Sequence, residues 1–333
     1  MEEQRYLNLA GLPVHPWTFE LSRVISRQYS SWSLPAAGSR LLLVSDYSAG
    51  GTNSQFECYG FFAVADEGYL HWLDRMSWIR ARTGLGRRSI QYKLLSDKVR
   101  EFALPYYLES MQLLRGLLVV FAVDKRIKNI LGWPMSEYKW LPKECREAWK
   151  PRLAERAIRI ACFGGSVLSI AAKPAQDIRW CSDHDEAFDS PERLRHFIEL
   201  FSPFSSHDLI FKPGDIGFCP ISMRLSDKEE LQSLLSLPDL ACGAMCDGFN
   251  SLRATTDVLS TEVLVPLSMN KKALYLHQWF SVRSRNLHKI SIMLSPSKKS
   301  GYLVAYSMEP GVMACSDQQL SLVVPRKPRI VRI

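Results

Sequence analysis

The sequence predicts an α/β fold in which short buried strands alternate with helices. Two observations point to it. Continuous apolar runs of strand length recur, such as residues 40–45 (RLLLVS) and 117–123 (LLVVFAV), the pattern of strands covered on both faces. Between them lie longer stretches with apolar residues at helical spacing, for example Leu70, Leu73 and Trp78.

Taken in order, residues 1–28 read as an N-terminal extension with one short helix near 18–27, and 29–39 as a linker. The strand at 40–45 ends at Asp46 and a glycine-rich turn, and 56–65 (FECYGFFAVA) is expected to hairpin onto it. A helix over 68–82 follows, then a third strand at 88–93 (RSIQYK). The next helix, about 97–114, is expected to kink at Pro105 and to end on Gly116 in the left-handed conformation.

Strand 117–123 ends at Asp124. Residues 141–172 read as helical with a break at Gly164-Gly165, which is not a phosphate loop because neither GxGxxG nor GKS/T is present. A fifth strand, 177–181 (DIRWC), runs into Ser182-Asp183-His184-Asp185-Glu186. Ser190-Pro191 has the form of a helix start, 208–212 (DLIFK) of a short strand, and Ser226 to Glu229 of a capping box. Pro238 is expected to restart a helix, placing Asp239 in its first turn. Beyond it lie a short strand at 263–267, a helix at 271–283, and two strands, 288–294 and 302–307, joined by a Ser/Lys/Gly-rich turn. The expected organisation is an extension (1–37), a main domain (38–255) and a C-terminal extension with hairpin and basic tail (256–333).

Composition bounds the partners. The chain has 333 residues, 47% of them hydrophobic, enough for a large core, and its net charge of +8 permits a nucleic-acid partner. None of the eight cysteines forms a paired CxxC, which argues against a zinc ribbon, and Cys242 and Cys246 have the i, i+4 spacing of packed helical side chains. The N-terminus lacks a signal-peptide core, and no apolar run approaches the 18 or so residues of a membrane span. A reducing, cytoplasmic location is the expectation, with no membrane partner.

The acids carry the chemistry. Asp46, Asp124 and Asp183 each terminate an apolar strand, where open α/β sheets build their sites, and Asp239 lies where a helix can bring a carboxylate to the same edge. Carboxylates from separate elements suit Mg²⁺ or Mn²⁺, and two such ions about 4 Å apart support in-line phosphodiester hydrolysis. A lone aspartate after a strand is more often a turn or cap residue. Asp124, beside Lys125-Arg126, reads as an ion pair, and Asp183 and Asp185 compete for one role.

Val44-Ser45-Asp46-Tyr47-Ser48-Ala49-Gly50 resembles the first-strand Asp-Glu-Ser-Gly motif of a bacterial family with an RNase H/RuvC-like fold. Leu237-Pro238-Asp239-Leu240-Ala241-Cys242-Gly243-Ala244 is similar to that family's late-helix Ala-Asp-Leu-x-Ala-Gly motif, with Leu231-Gln232 upstream. Ile90-Gln91-Tyr92-Lys93 looks like its lysine-bearing third strand, and the likeness covers roughly residues 38–250.

The resemblance implies an RNase H-like mixed sheet flanked by helices, with the N-terminal extension and a C-terminal helix plus β-hairpin added. It implies metal ligation by Asp46, Asp183 or Asp185, and Asp239, with Lys93 contacting substrate or stabilising charge. The activity implied is two-metal hydrolysis of DNA or RNA with Mg²⁺ or Mn²⁺, in bacterial defence or mobile-element biology. Tyr47 stands where the family has Glu, which keeps open a catalytically inactive scaffold or nucleic-acid-binding subunit of a multi-subunit complex. A transposase- or resolvase-like enzyme would use the same fold. Two basic stretches suit phosphates: Arg80, Arg82, Arg87, Arg88, Lys93, Lys98 and Arg100 near Trp72 and Trp78, and the tail from Arg326 to Arg332.

Overall fold

The computed structural model describes residues 15–28, 40–48, 51, 53–65, 69–132, 135–139, 141, 143–208, 214–220, 229–255, 270–296 and 303–308. Its strands are β1 (Arg40–Ser48), β2 (Phe56–Ala65), β3 (Gly116–Asp124), β4 (Asp177–Ser182), β5 (Ile216–Pro220), β6 (Leu287–Pro296) and β7 (Leu303–Met308). They form one seven-stranded sheet in the order β5-β4-β1-β2-β3-β6-β7. β2 runs antiparallel to β1 and β3, and β7 to β6. The pairs β1/β4, β4/β5 and β3/β6 are parallel. This is a mixed sheet, consistent with the RNase H-like arrangement expected. The segment after residue 256 contributes β6 and β7 to this same sheet rather than a separate layer.

Side-chain alternation divides the core into two layers. Leu41 and Leu43 of β1 join Tyr59, Phe61 and Ala63 of β2 on one face. There they meet α1 (Pro16–Gln28), α4 (Lys143–Glu147), α5 (Pro151–Ala171) and α6 (Pro191–Asp208). Val44, Cys58, Phe62 and Val64 face α2 (Tyr69–Thr83), α3 (Lys98–Met111), α7 (Glu229–Thr255) and α8 (Lys271–Ser281) on the other. β2 and β3 are buried along their whole length, so each large apolar side chain contributes about 1.5–3 kcal/mol by leaving water. Trp17, Leu21, Val24 and Ile25 of α1 are buried in the first layer, so the N-terminal helix is part of the core.

Several elements differ from the sequence expectation, each for a local reason. β1 continues past Ser45, because β2 is long enough to pair with it through Ser48↔Cys58; Asp46 lies inside the strand, opposite Gly60. Residues 88–93 form no strand. Carbonyls of this segment instead take donors from helices: Arg80 donates to Arg88 O at 3.2 Å, and Arg100 Nε donates to Ser89 O at 2.9 Å. Tyr92–Leu94 is a 3-10 turn. Gly116 opens β3 and does not cap α3, which ends at Met111; a Cβ on Gly116 would lie 2.6 Å from the Phe62 ring.

The Gly164-Gly165 pair does not break α5. Gly164 lets the Trp180 indole lie directly on the helix, where a Cβ would come within 2.3 Å of a ring atom. α7 runs unbroken through Pro238, so Asp239 is in mid-helix rather than a first turn. Helix α6 extends to Asp208, and the strand beyond it is β5, at 216–220. The linker at 29–39, residues 209–212, Ser226 to Lys228, the strand at 263–267, the hairpin turn and the basic tail lie outside the described residues. Among the described residues, no helix is long and apolar enough to cross a membrane.

Candidate active site

Alternation along β1 decides which groups can meet. Asp46, like Val44, points to the α7 layer, and Tyr47 points to the α5 layer. Tyr47 there shares hydrogen bonds with the Ser45 hydroxyl at 2.7 Å and the Ser182 hydroxyl at 2.9 Å. Its ring packs near Phe61 and Phe188. The side chain at position 47 therefore belongs to the opposite face of the sheet from Asp46.

Two glycines bring α7 down onto β1 and β2. A Cβ on Gly60 would lie 2.8 Å from Cys242 Sγ and 2.9 Å from Pro238 O. A Cβ on Gly243 would lie 2.2 Å from the Tyr92 ring, so the 3-10 turn is pressed on the same helix. Cys242 Sγ donates to Asp46 O at 3.5 Å. With α7 seated this closely, Asp239 comes beside Asp46. Asp183 arrives from β4, the parallel neighbour of β1, and its N–H donates to Ser45 O at 2.8 Å.

Three half-buried acids from separate elements thus share one electrostatic environment. Burial pushes the Asp46 carboxyl well above the usual range, and the charges of Asp239 and Asp183 push it further; the Tyr47 N–H and Arg156 oppose them. Asp239 is raised to about 6, by burial first and also by Asp183. The Tyr92 N–H, which donates to Asp239 Oδ2 at 2.6 Å, acts the other way, as do Lys93 and Lys272. Lys93 is exposed on the 3-10 turn. Lys272 donates to Tyr92 O at 3.0 Å and sits 4.2 Å over its ring.

The other acids have separate partners. Asp185 is buried, accepts from Ala187 N at 2.9 Å, and is paired with Arg156 at 2.6 Å. Asp124 is buried and held by Arg126 at 2.7 Å, the ion pair its sequence neighbours suggest.

The charges of Asp46, Asp183 and Asp239 act on one another. Among the described residues, the one group of three or more His, Cys, Asp or Glu whose donor atoms all lie within 4.8 Å of one another is Cys145, His196 and Glu199, in the other layer. Asp46, Asp183 and Asp239 do not form such a group.

Cationic side chains flank the same sheet edge. A cavity of about 490 Å³ at the start of β2 and the end of β3 is lined by Gln55, Asp124, Lys125, Arg126 and Lys128. Of the basic cluster seen in sequence, Arg80 and Arg100 are structural, bonding loop carbonyls, Ser233 and Asp97. Arg82, Arg87, Arg88 and Lys98 are exposed. Trp72 is core, and Trp78 is 45% exposed with the Arg75 guanidinium 4.4 Å over its ring. Lys272, Arg156 and the Gly60–α7 contact were not identified from sequence. Lys272 and Gly60 act across more than a hundred residues and Arg156 pairs with Asp185 across 29, and only Gly60, a glycine inside an apolar strand, left a local trace of close backbone approach.

Comparisons with protein-family models, with curated proteins and with solved structures find no match to this chain.

The raised Asp239 carboxyl has a sign that can be checked. Because its folded value lies above the unfolded one, it contributes stability that is fully present below about pH 4 and lost as the pH rises through about 6. In chelator, the stability of wild type relative to Asp239→Asn is expected to fall by on the order of 3 kcal/mol between pH 4 and 7. Urea unfolding across that range measures it; a flat difference would contradict the buried, repelled carboxylate.

Proposed function

We propose that the chain is a metal-dependent nuclease that hydrolyses DNA or RNA phosphodiesters with Mg²⁺ or Mn²⁺. The observation that carries this reading is the mutual repulsion of Asp46, Asp183 and Asp239, two of which are held protonated more tightly than an ordinary carboxyl. Desolvated like charges are costly unless something positive joins them. The donors are all hard oxygens, the set that Mg²⁺ and Mn²⁺ prefer. Asp46, Asp183 and Asp239 would be the ligands. The bound ions would supply an activated water and stabilise charge on the leaving oxygen.

The chain's own groups have assigned tasks. The Tyr92 N–H fixes the orientation of Asp239 through one oxygen and leaves the other for a ligand. Lys93, exposed beside Asp239, would hold a phosphate oxygen. Lys125 and Lys128, at the neighbouring cavity, would contact flanking phosphates of the backbone, which position a nucleic acid without reading its sequence. The Glu-to-Tyr departure at position 47 favours the inactive-scaffold reading less than the sequence suggested, because Tyr47 lies on the opposite face from Asp46.

The test is incubation of end-labelled single- and double-stranded DNA and RNA with the purified chain in Mg²⁺, Mn²⁺ or EDTA. Cleavage of at least one substrate in metal, absent in EDTA, is expected. No cleavage of any substrate, or cleavage indifferent to EDTA, overturns the proposal.

A further inference from the structure

A second constellation lies in the α5 layer, away from the acids. Cys145 on α4 and His196 and Glu199, three residues apart on α6, place one donor atom each within 4.8 Å of one another. Cys145 and His196 are 0% and 2% exposed, while Glu199 reaches solvent. The Cys145 thiol donates to Glu199 Oε2 at 2.7 Å. His196 is held edge-on to the Trp149 ring, and its Nδ1 is buried with no hydrogen-bond partner among the described residues.

A buried imidazole nitrogen without a partner is destabilising and calls for an explanation. Its other nitrogen lies 3.2 Å from the exposed Arg195, which also reaches Glu199 at 4.0 Å. That guanidinium is free to swing into solvent if a cation takes its place.

We propose that Cys145, His196 and Glu199 bind one borderline-soft divalent cation of the Zn²⁺ class, fastening α4 to α6. Thiolate, imidazole and carboxylate together are a Zn²⁺ ligand set rather than a Mg²⁺ one. Adjacent ligand atoms in a tetrahedral zinc shell are about 3.5 Å apart, so the Cys145–Glu199 pair at 2.7 Å must open slightly, a movement the exposed Glu199 can supply. As the metal–sulfur bond forms, the thiol releases its proton to solvent, and the site with thiolate, carboxylate and neutral imidazole carries no net charge. Water completes the fourth position. The gain is structural: α4 is only five residues long, within the connection from β3 to α5, and one bond to α6 fixes it.

This site is independent of the proposed nuclease centre, and its test does not use activity. The full chain is stripped with EDTA, desalted and titrated with Co²⁺ as the spectroscopic probe, then with Zn²⁺. One equivalent of Co²⁺ is expected to give a thiolate-to-cobalt absorption band that Zn²⁺ abolishes. The band is expected to vanish in Cys145→Ser, to need at least tenfold more Co²⁺ in Glu199→Gln, and to persist in Asp46→Asn. Glu199 is exposed, so Glu199→Gln decides the matter even where Cys145→Ser does not fold. No thiolate band, a band unchanged in Glu199→Gln, or a band lost in Asp46→Asn overturns the proposal.

Discussion

Asp46→Asn is expected to lower metal-dependent phosphodiester cleavage by about a thousandfold or more, the scale of loss when a charge-stabilising group is removed from a reaction centre. Folding should survive. The amide keeps the shape of the side chain, β1 keeps its register opposite Gly60, and Cys242 still reaches the main-chain carbonyl. In the absence of metal, the variant is expected to be at least as stable as wild type at pH 7, because a buried carboxylate facing Asp239 and Asp183 is gone. Cleavage rates and urea midpoints measured on one preparation separate the two effects. Cleavage within tenfold of wild type would remove Asp46 from the proposed chemistry, and a large loss of stability would mean that the acid is structural.

The largest expected effect on stability lies behind the site. Arg159→Met should cost about 3–5 kcal/mol, because it removes the buried cation shared by Glu155 and Glu57 and leaves Glu57 to the exposed Arg152, 3.6 Å away. Arg159 donates to Glu155 Oε1 at 2.8 Å, to Glu57 Oε2 at 3.0 Å and to Ile127 O at 2.7 Å. Glu155 in turn accepts from Ile130 N at 2.8 Å, and Glu57 from the Tyr59 hydroxyl at 2.9 Å. The network joins the start of β2 to α5 and to the turn after β3, so one guanidinium fixes three elements beside the sheet edge. Adding Glu155→Gln to Arg159→Met should recover part of the loss, since one stranded charge is then removed. Urea denaturation of the single and double variants measures both terms. A loss below about 1 kcal/mol for Arg159→Met would show that the acids find other partners.

The parts of the fold legible in the sequence are those whose signal is local. β2 and β3 are buried on both faces and read as continuous apolar runs; their patterns need no partner to be recognised. β5, with Gly217 and Pro220 in a five-residue strand half open to solvent, carries no such pattern and was missed. Gly116, Gly164 and Pro238 misled for a common reason. Residues that usually punctuate a chain were used here for close approach: of Gly116 to Phe62, of Gly164 to Trp180, and of Pro238 to Gly60. The strand character of 288–294 was readable, but its parallel pairing with β3 was not, because that contact spans about 170 residues.

The candidate site follows the same division. Asp46, Asp183 and Asp239 were found because each sits where strand or helix chemistry draws attention, and the fold does bring them into one electrostatic environment. The choice between Asp183 and Asp185 could not be read from two acids two residues apart. It is separated by Arg156, a side chain on another helix that engages Asp185. Cys145, His196 and Glu199 were not singled out, since a cysteine fifty residues from a histidine has no spacing to recognise.

Mn²⁺ titration followed by calorimetry, in the Glu199→Gln background so that the cysteine cluster binds at least tenfold more weakly, tests the central claim most directly. The expected result is Mn²⁺ binding that is lost in each of Asp46→Asn, Asp183→Asn and Asp239→Asn and retained in Asp185→Asn. Equal Mn²⁺ binding by all of these variants would contradict a shared metal site at the three acids.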